Sequence, residues 1–408
     1  MLAKSNPCKG SSLTRIIQVQ SLAVWKGLKN MVKAIRRIVA GNDDTGKAAI
    51  LSDGPSPDVV LDPARPGFAS TRIWVTDSAP ARVKGIRETL NSPHRLQPPT
   101  NGTACRVVEY PPERNYIDRV TESEIVAWFK TMQSSKARVK GGHPYMMRTH
   151  SQDLCYLLEG EITLVLETQE LLIGAGTCVI VNGVAHAWKN HTNLPAILVM
   201  NQLYAADEQA LPPPMAVKAS EDIAPPPEIA GILRRVVAGY DLHGRSCVLS
   251  DGPTPNRFPR PSGSWFHELW TLDEAPARLK GNIDFGCKGR VVAHSPPVSG
   301  ANWRISYSGP TKAKAPVVAI TDSTTSVAMD TGGGTERLQG SKVEGMHRTP
   351  SVDYAICLEG DRVLILEDSE VVLNKGDVVI QCGNWHSWGV KSETPAIMSY
   401  LMIGGEFG

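Results

Sequence analysis

The chain has 408 residues, a formal net charge of +2 and an ordinary 41% hydrophobic fraction. That length allows two or three globular domains with a sizeable core, and the near-neutral balance, without a zinc-finger or RNA-binding motif, gives no reason to expect a nucleic acid partner. No apolar run approaches the ~20 residues that cross a bilayer as a helix, so a soluble protein with no membrane partner is expected.

Residues 1–33 form a basic leader. Lys4, Lys9, Arg15, Lys26, Lys29 and Lys33 occur there without an acid, a composition shared by organellar transit peptides and by poorly ordered leaders. From about Ala34 the chain repeats itself once. Arg36-Arg37-Ile38-Val39-Ala40-Gly41 returns as Arg234-Arg235-Val236-Val237-Ala238-Gly239, and Leu51-Ser52-Asp53-Gly54-Pro55 as Leu249-Ser250-Asp251-Gly252-Pro253. Trp74 before Ala79-Pro80-Ala81-Arg82 returns as Trp270 before Ala275-Pro276-Ala277-Arg278, and Arg148-Thr149 as Arg348-Thr349. So many matches in one order define two copies of one unit. The first copy is assigned to 34–207, the second to 229–408, and 208–228, with Pro212-Pro213-Pro214 and Pro225-Pro226-Pro227, reads as an extended linker.

In the first copy Glu122 to Met132 reads as a peripheral helix, with Thr121 as N-cap and Glu124 completing a capping box. Thr321 to Gly340, rich in Gly, Ser and Thr, reads as a surface loop. Short β-branched runs separated by turns dominate elsewhere. Tyr354–Leu358, Val363–Leu366, Val371–Leu373, Val378–Ile380 and Ala396–Met402 are predicted strands, broken at Gly360, Gly376 and Gly383. Gly41 and Gly239 are expected at turns. The eight cysteines are scattered without a CxxC pair, which points to a reducing, cytoplasmic setting; Cys357 and Cys382 read as small core residues.

Met346-His347-Arg348-Thr349-Pro350-Ser351-Val352-Asp353-Tyr354, then Gly360, Gly376, Gly383, His386 and Trp388, resembles the paired cupin motifs. His347 takes the first histidine position and Thr349 the second, Asp353 stands where the family usually has glutamate, and His386 closes the second block. The first copy keeps the frame with Met147, Thr149, Asp153 and His186 at those positions. The chain is thus similar to a bicupin, nearest to the MHRT-type cupins of fungal secondary-metabolite gene clusters. The resemblance implies an all-β fold of two tandem jelly-roll, or double-stranded β-helix, barrels with a few short peripheral helices, and a degenerate site in the first.

His347 and Asp353 are six residues apart and share a face of a continuous strand. With His386 they would form a two-histidine, one-carboxylate metal site, of the kind non-haem Fe(II) oxygenases use because it leaves positions open. Fe(II) is favoured, with Mn or no metal as alternatives. The blander reading is that these residues satisfy hydrogen bonds, Asp353 tying down the turn or binding Arg348. Trp188 and Trp388 read as barrel packing. The absence of a P-loop, a G-x-S-x-G element and a dinucleotide fingerprint removes the common kinase, hydrolase and dehydrogenase readings. Two functions remain: a cupin oxidoreductase acting on a small aromatic or polyketide-like metabolite, or a metal-free barrel that binds such a molecule as isomerase, cyclase or carrier. The two halves are expected to dock with their terminal segments covering each other's sheets, in a monomer or homodimer.

Overall fold

The computed structural model describes residues 32–85, 88–206, 233–259, 264–278, 283–286, 293–309, 334–338, 341, 343 and 345–407. Nearly all of the basic leader, the proline-rich linker and most of Thr321–Gly340 lie outside the described residues.

Each half of the molecule is built on a nine-stranded sheet faced by a three-stranded one. In the first barrel Ser151–Glu159 lies between Cys178–Asn182 and Ala196–Ala206, and the sheet continues through Thr103–Tyr110, Ala69–Thr76 and Asp58–Leu61. Its cover is His186–Lys189, Glu161–Leu166 and Glu170–Gly174. The second barrel repeats this with Ser351–Glu359 between Val378–Cys382 and Ala396–Glu406, then Ala301–Ser308, Trp265–Leu272 and Arg257–Pro259. Its cover is Glu370–Leu373, Arg362–Ile365 and Ser387–Gly389. This is the expected pair of jelly rolls, and most of the predicted strands fall inside observed ones. Among the described residues no helix is long and apolar enough to cross a membrane.

The sheets do not respect the sequence repeat. The first hairpin of the first copy, Arg36–Asn42 with Ala48–Pro55, is the edge of the second barrel's sheet, where Arg37 to Ala40 run parallel to Val378 to Gln381. The corresponding hairpin of the second copy, Arg234–Tyr240 with Ser246–Pro253, edges the first sheet through Arg235 to Ala238 against Cys178 to Val181. Both hairpins turn on the same device. Asp43 accepts from the backbone N–H of Thr45 and Lys47, and Asp241 from that of His243 and Arg245, with Gly46 and Gly244 at positive φ. Gly41 and Gly239 lie inside the strands, one residue beyond a bulge, and not at the turns. A crossing arginine then fastens each hairpin to its host: Arg36 donates to Val372 O and Asp377, and Arg234 to Leu172 O.

Period-two alternation explains why the exchange holds. Val107, Leu154, Ile180 and Val237 point to a core shared with Trp270, Trp303, Tyr354 and Ile380 of the other sheet. Their neighbours Val108, Cys155, Val179 and Val236 point into the first barrel. Both faces of each large sheet are therefore apolar, and each buried large side chain contributes about 1.5–3 kcal/mol. Hydrogen bonds cross the shared core: Thr103 and Tyr354 join hydroxyls at 2.6 Å, and Trp270 Nε1 donates to Gln152 Oε1 at 3.1 Å. Cys357 and Cys382 are buried core thiols, as expected, and burial pushes Cys357 up to about 12.

The helix spans Glu122–Thr131 with both bonds of the capping box between Thr121 and Glu124, and buries Ile125, Trp128 and Phe129 on the first barrel. Gly160 and Gly360 end their strands at positive φ. A Cβ there would stand 2.8 Å from Pro195 O and 2.2 Å from Pro395 O, so both turns require glycine.

A fragment of residues 32–206 lacks the hairpin that edges its sheet but carries the repeated equivalent. We expect it to form a concentration-dependent homodimer by reciprocal exchange, measurable by analytical ultracentrifugation. A stable monomer at all concentrations would show that the hairpin folds back onto its own sheet.

Candidate functional site

In the second barrel His347 and His386 lie directly opposite each other. His347 N–H donates to His386 O and His386 N–H to His347 O, each at 2.9 Å, and the ring centroids are 4.4 Å apart. Each Nδ1 reaches a carbonyl two residues upstream, Gly345 O at 2.8 Å and Asn384 O at 3.0 Å. A carbonyl only accepts, so Nδ1 carries a proton in both rings. Burial and the neighbouring His347 and His294 push His386 down to about 3, so it is neutral at ordinary pH. The His294 ring is 5.6 Å from that of His347.

Asp353 is on the interior face of the same barrel. Its cross-strand neighbours are Gln381 on one side and Met402 on the other. Its Oδ1 and both amide atoms of Gln381 are buried without a hydrogen-bond partner. Burial pushes the Asp353 carboxyl up to about 7, against the smaller opposing effects of the Ser351 hydroxyl and the Arg304 guanidinium. Arg348 does not pair with it: that guanidinium donates to Glu336 and lies over Trp385 and Phe407. Arg304 Nε stands 3.0 Å from Glu268 Oε2, both side chains buried. Trp388 packs edge-on to Tyr400 at 5.6 Å and to His386 at 6.1 Å.

The structure thus pairs the two predicted histidines and puts Asp353 in the same barrel but in different company. Among the described residues, no group of three or more His, Cys, Asp and Glu side chains is arranged to hold a metal ion. Sequence reasoning missed His294, Gln381 and the Arg304–Glu268 pair. Only Arg304 carried a usable signal, because Arg106 stands at the same place in the first copy.

The first barrel shows what the frame becomes without the first histidine. Met147 occupies the same backbone bridge to His186. Asp153 Oδ1 accepts from Ser151 Oγ at 2.6 Å and Gln202 Nε2 at 3.1 Å, and its Oδ2 is 4.0 Å from His186 Nε2. Met402 replaces Gln202 in the second barrel, which is why Asp353 is left with an unpartnered oxygen.

Two jelly-roll barrels in tandem, with His347 and His386 of the second matched in position by Met147 and His186 of the first, make up the described part of this chain, the arrangement expected of a bicupin fold. No family model matches the chain. It is similar to the Phomopsin biosynthesis cluster proteins C' and D of Diaporthe leptostromiformis, at 44% identity over 50 residues. That segment is 12% of this chain and spans about a quarter, 26%, of the length of those curated relatives. Among solved structures, AerE from Microcystis aeruginosa aligns at a TM-score of 0.38 and 10% identity, over 86% of this chain and 97% of that one. The Cupin 2 conserved barrel domain protein from Leptotrichia buccalis aligns at 0.33 and 9%, over 86% and 92%.

The Asp353 shift has a testable sign. Its folded value lies above its unfolded one, so between about pH 4 and pH 7 the folded state binds more protons and this group's contribution to stability falls as pH rises. Asp353→Asn should therefore be more stable than wild type at pH 8, with the difference shrinking towards pH 4. Denaturant midpoints across that range check it; a difference that grows on acidification would reverse the assignment.

Proposed function

We propose that the second barrel is an oxidoreductase site for a small aromatic or polyketide-like metabolite, with a divalent transition metal, Fe(II) in preference to Mn(II), held by His347 and His386, and with Asp353 as the carboxylate of the same barrel interior. The histidine pair carries this reading. Both imidazoles have Nδ1 anchored on a carbonyl, which is how ligating histidines are commonly oriented, and burial keeps His386 neutral. The donor chemistry suits such an ion at the histidine pair, whereas the carboxylate does not close the set in the arrangement described. When bound, the ion would supply Lewis acidity and redox chemistry at its open positions.

The chain's own residues define the rest. The carbonyl anchors hold both rings against rotation, and Asp353 supplies a negative charge to balance a cation. The Gln381 amide, buried without a partner, offers one donor group and one acceptor to a substrate polar group. Trp388 and Tyr400 supply aromatic surface. The names of the curated relatives, both from a biosynthesis cluster, support a role in small-molecule metabolism.

A second reading is favoured by the unpartnered Oδ1 of Asp353. A buried carboxyl that titrates near neutrality is suited to proton transfer, and a metal-free barrel using it would be an isomerase or cyclase, or a carrier if no proton moves. Metal analysis of purified protein after Fe(II) or Mn(II) reconstitution separates the two. We expect about one ion per chain in wild type and loss of at least ~90% of it in a His347→Ala, His386→Ala double variant. Trace metal in reconstituted wild type overturns the first reading.

Activity should also divide unevenly between the barrels. His386→Ala is expected to lower turnover by at least ~100-fold and His186→Ala by less than about threefold, with both variants folded by circular dichroism. Equal losses in two folded variants would contradict placing the chemistry in the second barrel.

A further inference from the structure

The second barrel closes a buried ion pair where the first leaves a cation uncompensated. Arg304 and Glu268 are directly opposite on paired strands. Arg106 occupies the place of Arg304, but the residue opposite it is Arg72. Arg72 is provided for, with Asp58 at 2.6 Å and the carbonyls of Leu90, Ser92 and Pro93 around its guanidinium. Arg106 is not. It is 2% exposed, its Nη2 donates to Arg95 O at 2.7 Å, and its Nε and Nη1 are buried without a partner.

Arg106 lines a cavity of about 30 Å³ together with Arg65, Ser70, Asp153, Trp188 and Gln202. Arg65 Nη2 and Trp188 Nε1 are likewise buried without partners, and Gln202 Oε1 is the one unpartnered acceptor among these residues. Unsatisfied donors therefore outnumber unsatisfied acceptors four to one around the cavity. Charge leans the same way. Asp62 neutralises Arg65 at 2.7 Å, whereas Asp153, the acid whose charge acts most strongly on Arg106, makes no ion pair with it: its Oδ1 is committed to Ser151 and Gln202 and its Oδ2 is 4.0 Å from His186 Nε2. Burial pulls Arg106 down to about 10, which leaves it protonated at neutral pH.

We propose that the first barrel binds one small oxyanion, of formate, nitrate or bicarbonate size, against Arg106, with Trp188 Nε1 as a further donor. The volume admits only a few heavy atoms. Water can satisfy an N–H but does not balance a buried guanidinium, whereas an oxyanion does both through charge-assisted hydrogen bonds. The first barrel is then an anion site in its own right, and this holds whether or not the second barrel carries a metal.

Isothermal titration of the dialysed full chain with sodium formate, nitrate or bicarbonate, replacing sodium gluconate at constant ionic strength, tests the assignment. Gluconate is too large for the cavity. We expect saturable binding of one anion per chain, a rise in Tm on binding, and loss of both in Arg106→Met, whose Tm without anion should equal or exceed that of wild type. Trp188→Phe, which keeps a ring in place and removes one donor, should weaken binding by about tenfold. Absence of saturable binding in wild type, which would leave the cavity to water alone, overturns the proposal, as does undiminished binding by folded Arg106→Met or by Trp188→Phe.

Discussion

Both faces of each large sheet are apolar, and this constraint organises the rest of the molecule. A sheet of that kind has to be covered twice, and here one cover is its own three-stranded sheet while the other is the large sheet of the other barrel. The hairpin exchange follows, because it extends both sheets across the contact and leaves the crossing arginines on carboxylates and carbonyls of the opposite barrel. Thr103, Tyr354, Gln152 and Trp270 can then be buried in the shared core because each finds its polar partner across it.

Within that frame the two barrels have diverged at a few cross-strand pairs. Asp153 has Gln202 beside it where Asp353 has Met402, and Arg304 faces Glu268 where Arg106 faces Arg72. Each replacement moves an unsatisfied polar group from one barrel to the other. The second barrel is left with an unpartnered carboxylate oxygen on Asp353, and the first with a guanidinium, that of Arg106, whose Nε and Nη1 have no partner.

The repeat, the jelly-roll class, most strands and the capped helix were readable in the sequence, because each rests on local rules: period-two alternation, turn glycines, and Thr121 with Glu124 three residues later. Motif spacing also singled out His347 and His386, which lie opposite each other in the structure. The spacing carried no information on the surroundings of Asp353. Those depend on what stands opposite it on two other strands, at Gln381 and Met402, 28 and 49 positions further along the chain.

What the amino-acid sequence determined by itself was therefore everything set by neighbours along the chain: two copies, their strands and turns, and the frame that carries the histidines. Only the tertiary structure decided which sheet each first hairpin joins, because Arg36 to Gly41 and Arg234 to Gly239 are nearly the same segment and either could edge either sheet. It alone also decided which buried charges find partners. Arg106 and Arg304 sit in equivalent strands, and the difference between an unpaired cation and an ion pair lies in the residue that sheet register brings opposite each of them.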